Sequence, residues 1–438
     1  MRYVIITCCL LAAFTLSAQR TGKLTERAKA PEEKVDFEYQ TFEEPDNGKP
    51  NMYKDRFVVF FDEERFPSFL KHLQKEDKQY ENREEKLEAY SAYDKEMREQ
   101  IREAIKEIFD EKQIEEIYTG AFTGLALREI GEDRMMEAEK QLREREVIIF
   151  FANDFRVYAT DLGTTEAVVA PQAQSTPWGT SYTGSARAPR GKWAFVLDTG
   201  VDLDHPDLNV NTSAARNYSG SRGNADDKRG HGTHVAGTIG AKDNNFGTKG
   251  VAHGATIVPV KVLDDNGNGP WSHVLKGLDY VAAASIRGDV ANLSLGAKGT
   301  PGRWDRFWNT DKNKINGAIR NLGSSGVYVT ISAGNDASQA KDYWPAAING
   351  TNVYTISSMT SGYNLSSFSN YGNGPVDYAA PGSSILSTHK GGGYAYKNGT
   401  SMAAPHVAGI LLINNGRINS SRRLSSDKDR TKDRVAKK

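Results

Sequence analysis

Trp193-Ala194-Phe195-Val196-Leu197-Asp198-Thr199-Gly200 is an apolar run that stops at an acid and a glycine. A short continuous apolar run closed by a turn signal reads as a strand buried on both faces. Further runs of this kind follow at residues 257–263, 290–293, 327–332 and 353–356, and residues 271–287 and 314–325 between them read as helices. Strands that alternate with helices predict a parallel sheet covered by helices on both faces, with the active site at the carboxyl ends of the strands. Asp198 occupies such an end.

Upstream of about Thr160 the texture differs, because Glu, Lys and Arg runs replace the Gly, Ser, Ala and Thr of the α/β half. Arg56-Phe57-Val58-Val59-Phe60-Phe61 is a buried-strand candidate, and the charged stretch 64–116 reads as helix with a solvated face. Apolar segments 117–127 and 147–151 flank a helix-like segment at 132–138, an order of strand, helix, strand, helix, strand that suits a small α+β, ferredoxin-like domain. At the other extreme, Met1-Arg2 and the apolar run 3–16 ending in Ser17-Ala18-Gln19 have the layout of a secretory signal peptide. The expected division is therefore 1–18 signal peptide, 19–165 a polar leader plus the α+β domain, and 166–438 the α/β domain. The charged stretch 420–438 lacks apolar periodicity and is expected to be either a disordered tail or the end of a shortened chain.

Composition removes several classes of function. Lys+Arg 56 balance Asp+Glu 56, so nothing attracts a polyanion, and neither nucleic-acid binding nor a membrane anchor is expected. The two cysteines, Cys8 and Cys9, both fall inside the expected signal peptide, which leaves the exported chain without disulfides, Cys-ligated zinc or cysteine nucleophiles. An anchor on either cysteine conflicts with the apolar run that continues past both.

Two further segments carry chemistry. His231 lies in Gly230-His231-Gly232-Thr233-His234, where glycines let the chain enter a helix close to other backbone. His231 and His234 are spaced i, i+3 without the glutamate of a His-Glu-x-x-His zinc site, so His234 is expected to pack behind the site. Ser401 stands in Asn398-Gly399-Thr400-Ser401-Met402-Ala403-Ala404-Pro405, followed by an apolar run. Thr or Ser before small helix formers signals a helix start, where Pro is tolerated and a backbone N–H faces outward to bind an oxyanion.

An acid, a histidine and a serine in that order, each at the edge of an element in one α/β domain, overturn the bland reading of each alone. Asp198-Thr199-Gly200, His231-Gly232-Thr233-His234 and Gly399-Thr400-Ser401-Met402-Ala403-Ala404-Pro405 resemble the three signature segments of the subtilisin-like serine proteases. The resemblance covers residues from about 173 to 409. It implies that Ser401 attacks a peptide carbonyl, His231 moves its proton and Asp198 orients the imidazole. It also implies that Asn335 joins the Ser401 N–H in an oxyanion hole, and that Leu293-Ser294-Leu295-Gly296 and Ala333-Gly334 bind extended peptide. Asp336 is expected near the base of the specificity pocket.

By the same resemblance Gln174, Asp207 and Asn244 match oxygen ligands of a stabilising calcium. The upstream domain resembles the family's inhibitory propeptide, with self-cleavage between about Ala159 and Gln174. The expected molecule is a secreted, monomeric serine endopeptidase that acts on proteins or peptides and is inhibited by its own propeptide. Rival classes fit less well: a sedolisin-type peptidase replaces the histidine with glutamate, a dead binding module loses a triad member, and no Gly-rich phosphate loop follows a strand.

Overall fold

The structure is a computed structural model that describes residues 52–162, 164–168, 173–299, 317–429 and 431–438. The expected signal peptide 1–18 and the polar leader 19–51 lie outside the described residues. The upstream half runs β1 (Met52–Phe61), α1 (Phe69–Lys75), α2 (Arg83–Ile105), β2 (Ile114–Tyr118), β3 (Gly124–Leu127), α3 (Glu132–Glu144) and β4 (Ile148–Ala159). These strands pair antiparallel in the order β4-β1-β3-β2.

An antiparallel sheet with one wet face alternates apolar and polar residues, yet Phe57 to Phe61 are apolar without a break and all are buried. The reason is that both faces are covered. Phe57, Val59 and Phe61 pack with Met97, Ile101 and Ile105 of α2 and Met135 and Leu142 of α3. Val58 and Phe60 point the opposite way, into a core shared with Trp271, Leu275 and Leu278 of the α/β half. Both halves belong to one compact unit, Pro45–Lys438.

The α/β half follows a short strand β5 (Thr164–Val168). Its principal elements are β6 (Trp193–Asp198), α4 (His231–Gly240), β7 (Thr256–Lys261), α5 (Trp271–Ala284), β8 (Val290–Leu293), β9 (Leu295–Lys298), α6 (Gly317–Ser324), β10 (Tyr328–Ser332), β11 (Val353–Met359), β12 (Val376–Pro381), β13 (Ile385–His389), β14 (Gly393–Lys397) and α7 (Thr400–Ile413). The parallel sheet runs β12-β11-β10-β8-β6-β7, with two short strands on the outer side of β7. Phe195 and Leu197 face α5 and α6, while Ala194 and Val196 face α4 and α7. The central α7 is buried along almost its whole length, which explains an apolar sequence with no wet face.

Two expectations are corrected. Helix α2 is not merely solvated: Arg83 bridges both carboxylate oxygens of Asp289, and the Lys86 ammonium donates to the Ser285 carbonyl at 2.7 Å. The C-terminal stretch is docked rather than disordered, with Leu424, Val435 and Ala436 buried and the Ala436 N–H bonded to the Ala379 carbonyl at 2.9 Å. Isolated anchors of this kind have no period for a sequence reading to detect. Among the described residues no helix is long and apolar enough to cross a membrane.

Asp279 of α5 fastens the halves together. Its carboxylate accepts the N–H groups of Gly120 at 2.6 Å, Ala121 at 2.9 Å and Thr119 at 3.3 Å, and the Tyr90 hydroxyl at 3.1 Å. Burial pushes its pKa up to about 6 against the pull of these donors. Truncation leaves buried N–H groups unpaired at a cost of ~1–3 kcal/mol each. In Asp279→Ala the amides of 119–121 are expected to exchange hydrogen at least about tenfold faster in the intact chain, as read by mass spectrometry, with amides of α7 unchanged.

Candidate active site

The site lies where the sheet's chain order reverses. From β6 the chain passes outward to β7 and then returns to β8 on the other side of β6. Asp198, the last residue of β6, therefore opens into the crevice such a reversal creates. Its Oδ1 is 2.7 Å from His231 Nδ1, and both side chains are fully buried. The carboxylate acceptor fixes the tautomer with the proton on Nδ1, which leaves Nε2 as the free base. Gly232 allows this approach: a Cβ there would lie 2.0 Å from the Gly200 carbonyl oxygen and 3.1 Å from the Asp198 Cβ.

Buried Asp227, which the sequence reading missed, holds the acid and base loops in register. One oxygen accepts the Thr199 hydroxyl at 2.9 Å and the Gly230 N–H at 2.8 Å, and the other accepts the Thr233 N–H at 2.9 Å and its hydroxyl at 2.7 Å. A carboxylate at the start of α4 also suits the helix dipole. His234 packs behind, as expected, its Nε2 between the Ile385 and Ala395 carbonyls at 2.9 and 3.0 Å.

Ser401 is the second residue of α7, two positions past the cap, which Gly399 takes. Pro405 has no N–H for the Ser401 carbonyl, and the Ser294 hydroxyl donates to that carbonyl at 2.9 Å instead. Among the described residues Ser401 and His231 make no hydrogen bond to each other. The Ser401 Oγ donates to the Ser294 carbonyl at 3.1 Å and lies 2.6 Å from the Thr160 hydroxyl, while His231 Nε2 has no hydrogen-bond partner among the described residues.

The cause is that the chain's own strand fills the crevice. Beyond Ala152 of β4, residues Arg156, Val157 and Tyr158 pair antiparallel with Pro270, Gly269 and Asn268, and Tyr158 and Ala159 pair with Gly296 and Leu295. The Thr160 N–H reaches the Ser294 carbonyl at 3.3 Å, and the Thr160 carbonyl accepts the Asn335 amide Nδ2 at 2.7 Å. Asn335 is oriented by its other end, whose Oδ1 accepts the Thr400 N–H and hydroxyl, both at 2.9 Å. At Gly399, where φ is +150°, a Cβ would come within 2.8 Å of the Thr160 carbonyl oxygen, so only glycine admits this carbonyl.

The structure brings only some residues of the predicted peptide strips to this strand. Ser294, Leu295 and Gly296 touch the cleft strand, but Leu293 ends β8 fully buried, level with Leu197 and Ile331, and supports the strip from below. Ala333 and Gly334 continue β10 and are held from behind, the Ala333 carbonyl by Asn370 and the Gly334 N–H by Thr400. The second edge is Asn268–Pro270, which the sequence reading did not single out. Asp336 is exposed and takes the Tyr343 hydroxyl rather than forming a pocket base.

Gln174, Asp207 and Asn244 do meet on the loop 242–248. Asn244 Nδ2 donates to Asp207 Oδ1 at 2.8 Å, Asp207 Oδ2 accepts the Thr248 N–H at 2.9 Å, and Gln174 Nε2 donates to the Lys242 carbonyl at 2.9 Å. A Cβ on Gly247 would press to 2.4 Å from Asp207 Oδ2, so glycine keeps the space beside that carboxylate open.

Comparisons with known proteins show which family the sequence resembles. The sequence profile of the subtilase family matches residues 195–424. "Subtilisin-like serine protease AsES" of Sarocladium strictum is 36% identical over 67% of this chain and 71% of its own length. "Proteinase R" of Parengyodontium album is 36% identical and "M-protease" of Shouchella clausii 38%, each over 57% of this chain. These two alignments span 60% and 62% of the relatives' own lengths, so the match covers less than two thirds of each. A solved structure, a cold adapted subtilisin-like serine proteinase, is 34% identical over 57% of this chain and 90% of that one, with a TM-score of 0.48.

His406, one turn past Ser401 on α7, gives this helix a pH dependence. Its Nδ1 donates to the Met402 carbonyl at 2.8 Å, and burial lowers its pKa to about 4. The unfolded chain protonates near pH 6.5, so this neutral histidine contributes stability above that pH and loses it as pH falls toward 4. The loss amounts to roughly 3 kcal/mol. Urea unfolding between pH 7 and pH 4 is expected to show a shallower acid decline in His406→Gln than in the parent chain.

Proposed function

The chain belongs to the subtilase family, the subtilisin-like serine endopeptidases, and on that premise we propose that it is an exported protease made as a precursor that cuts itself after Thr160. The observation that carries the reading is the Thr160 carbonyl held by Asn335 while its N–H pairs with Ser294. That is how the residue before a scissile bond would sit, with its carbonyl already aimed at a donor that strengthens as charge develops.

In the proposed reaction Ser401 turns its Oγ from the Thr160 hydroxyl toward His231 Nε2, which is buried and has no hydrogen-bond partner among the described residues. His231 takes the proton as Oγ attacks the Thr160 carbonyl carbon, and Asp198 holds the imidazole in position and balances its new charge. Asn335 and the Ser401 N–H steady the oxyanion. His231 then protonates the Asp161 nitrogen, the Thr160–Asp161 bond breaks, and water releases Thr160 from the serine ester.

The upstream domain would act as the propeptide and, after the cut, as a product-like inhibitor. Its sheet shares β4 with the cleft, which supports that role. Export rests on the leader 1–18. Intended substrates are proteins and peptides that bind extended between Leu295-Gly296 and Asn268–Pro270, and no nucleic-acid or membrane partner is invoked.

A wild-type preparation is expected to shorten itself, yield a fragment whose first residue is Asp161, and digest casein. Ser401→Ala should stay intact and inactive; processing of that variant at the wild-type rate would end the proposal.

We also propose a stabilising calcium at Gln174, Asp207 and Asn244, which would supply hard oxygen ligands with the Lys242 carbonyl beside them. The expected outcome is a Tm that rises with millimolar calcium and falls with chelator, a response lost in Asp207→Asn.

A further inference from the structure

Lys397, at the end of β14, is 2% exposed. Lysine is almost never buried to this extent unless it is paired. Its ammonium donates to Asp161 Oδ2 at 2.7 Å, and among the described residues no other carboxylate is hydrogen-bonded to it. The second oxygen, Asp161 Oδ1, accepts Arg229 Nη2 at 2.8 Å, and Arg229 is itself braced on the Asn266 carbonyl. The Asp161 carboxylate is 1% exposed, so each of its oxygens is matched by one cation out of water. Burial works against its ionisation, but His231, Lys397 and Arg229 together hold it well below the usual carboxylate range.

The downstream backbone is guided in the same direction. The Leu162 N–H reaches the Asn398 carbonyl at 3.1 Å, and β5 pairs antiparallel with β14, Thr164 opposite Lys397. Residues after the proposed cut therefore run along one strand edge, with the first of them placed over a buried ammonium.

We propose that Lys397 and Arg229 form a cation-lined subsite on the leaving side of the scissile bond, which selects substrates with an acidic residue immediately after the cut. The proposal rests on Thr160–Asp161 being the processed bond. A carboxylate supplied by the substrate offsets the desolvation of Lys397, whereas an amide or alkyl group there leaves a buried charge without a partner. Neither cation touches the reacting atoms; both determine specificity.

The test uses mature enzyme and peptides that carry the Val157-Tyr158-Ala159-Thr160 sequence before the cut and Asp, Asn or Ala after it, with cleavage followed by mass spectrometry. Wild type is expected to show a kcat/KM at least tenfold higher for Asp than for its near-isostere Asn. In Lys397→Met that ratio should fall toward one. Arg229→Gln, a change at a more accessible side chain, should lower it by a smaller factor and keeps the test open if Lys397→Met does not fold. Equal rates for Asp and Asn in wild type, or an undiminished ratio in both variants, would overturn the subsite. Sequencing of the self-processed N-terminus reports separately on the processed bond. A start other than Asp161 with the Asp preference intact removes the Thr160 reading and leaves the subsite standing.

Discussion

One strand belongs to two structures at once, and the rest of the molecule is arranged around that constraint. The first half of β4 pairs with β1 and closes the upstream sheet, while its second half lies between Leu295-Gly296 and Asn268–Pro270. A strand cannot slip by one residue without turning every side chain to the opposite face, so the upstream sheet sets the register of the segment in the cleft. Val58 and Phe60 fix that sheet against α5, and Asp279 ties its loop 119–121 from the other side. The position of the Thr160 carbonyl under Asn335 is thus dictated by packing some distance away.

The proposed catalytic groups show a parallel economy of support. Asp198, His231 and Ser401 sit on three different elements, and each is held by a group that does no chemistry. Asp227 clamps the first two loops, Ser294 takes up the carbonyl that Pro405 leaves open, and Thr400 turns the Asn335 amide toward the cleft. These contacts are made by buried polar atoms whose loss would leave partners unsatisfied, so they fix geometry more firmly than apolar packing alone.

Much of this was legible in the sequence. The central strand β6 is a continuous apolar run because it is buried on both faces, and it ends where Asp198 and Gly200 begin a loop. The three motif segments could be placed at strand and helix ends for the same reason. By contrast, the second half of β4, Asn153 to Ala159, mixes polar and apolar residues because its partners come from Asn268–Pro270 and β9, far along the chain. Lys397 and Arg229 carry no local pattern either: they meet Asp161 across separations of 236 and 68 residues. The unbroken run at Phe57 to Phe61 did contain a clue, since two apolar faces on an antiparallel sheet require a second body to cover one of them.

The two sides of the proposed cut are held by different kinds of contact, and this decides how the halves would separate. Upstream, a whole sheet face is buried against α5 and β4 is paired along two edges, contacts dominated by apolar area that salt does not screen. Downstream, among the described residues, the attachment up to β5 is one short antiparallel pairing, β5 on β14, the Leu162 N–H on the Asn398 carbonyl, and the two ion pairs of Asp161. Cutting the chain between them removes the covalent link that made the weaker side local to the stronger one. The downstream segment then has to hold its place on its own contacts, and a single pairing of two or three strands gives little independent stability. The upstream domain keeps nearly all of its interface. The order that follows is early departure of the new N-terminal segment and slow departure of the folded domain, with the Thr160 end still seated beside Ser401.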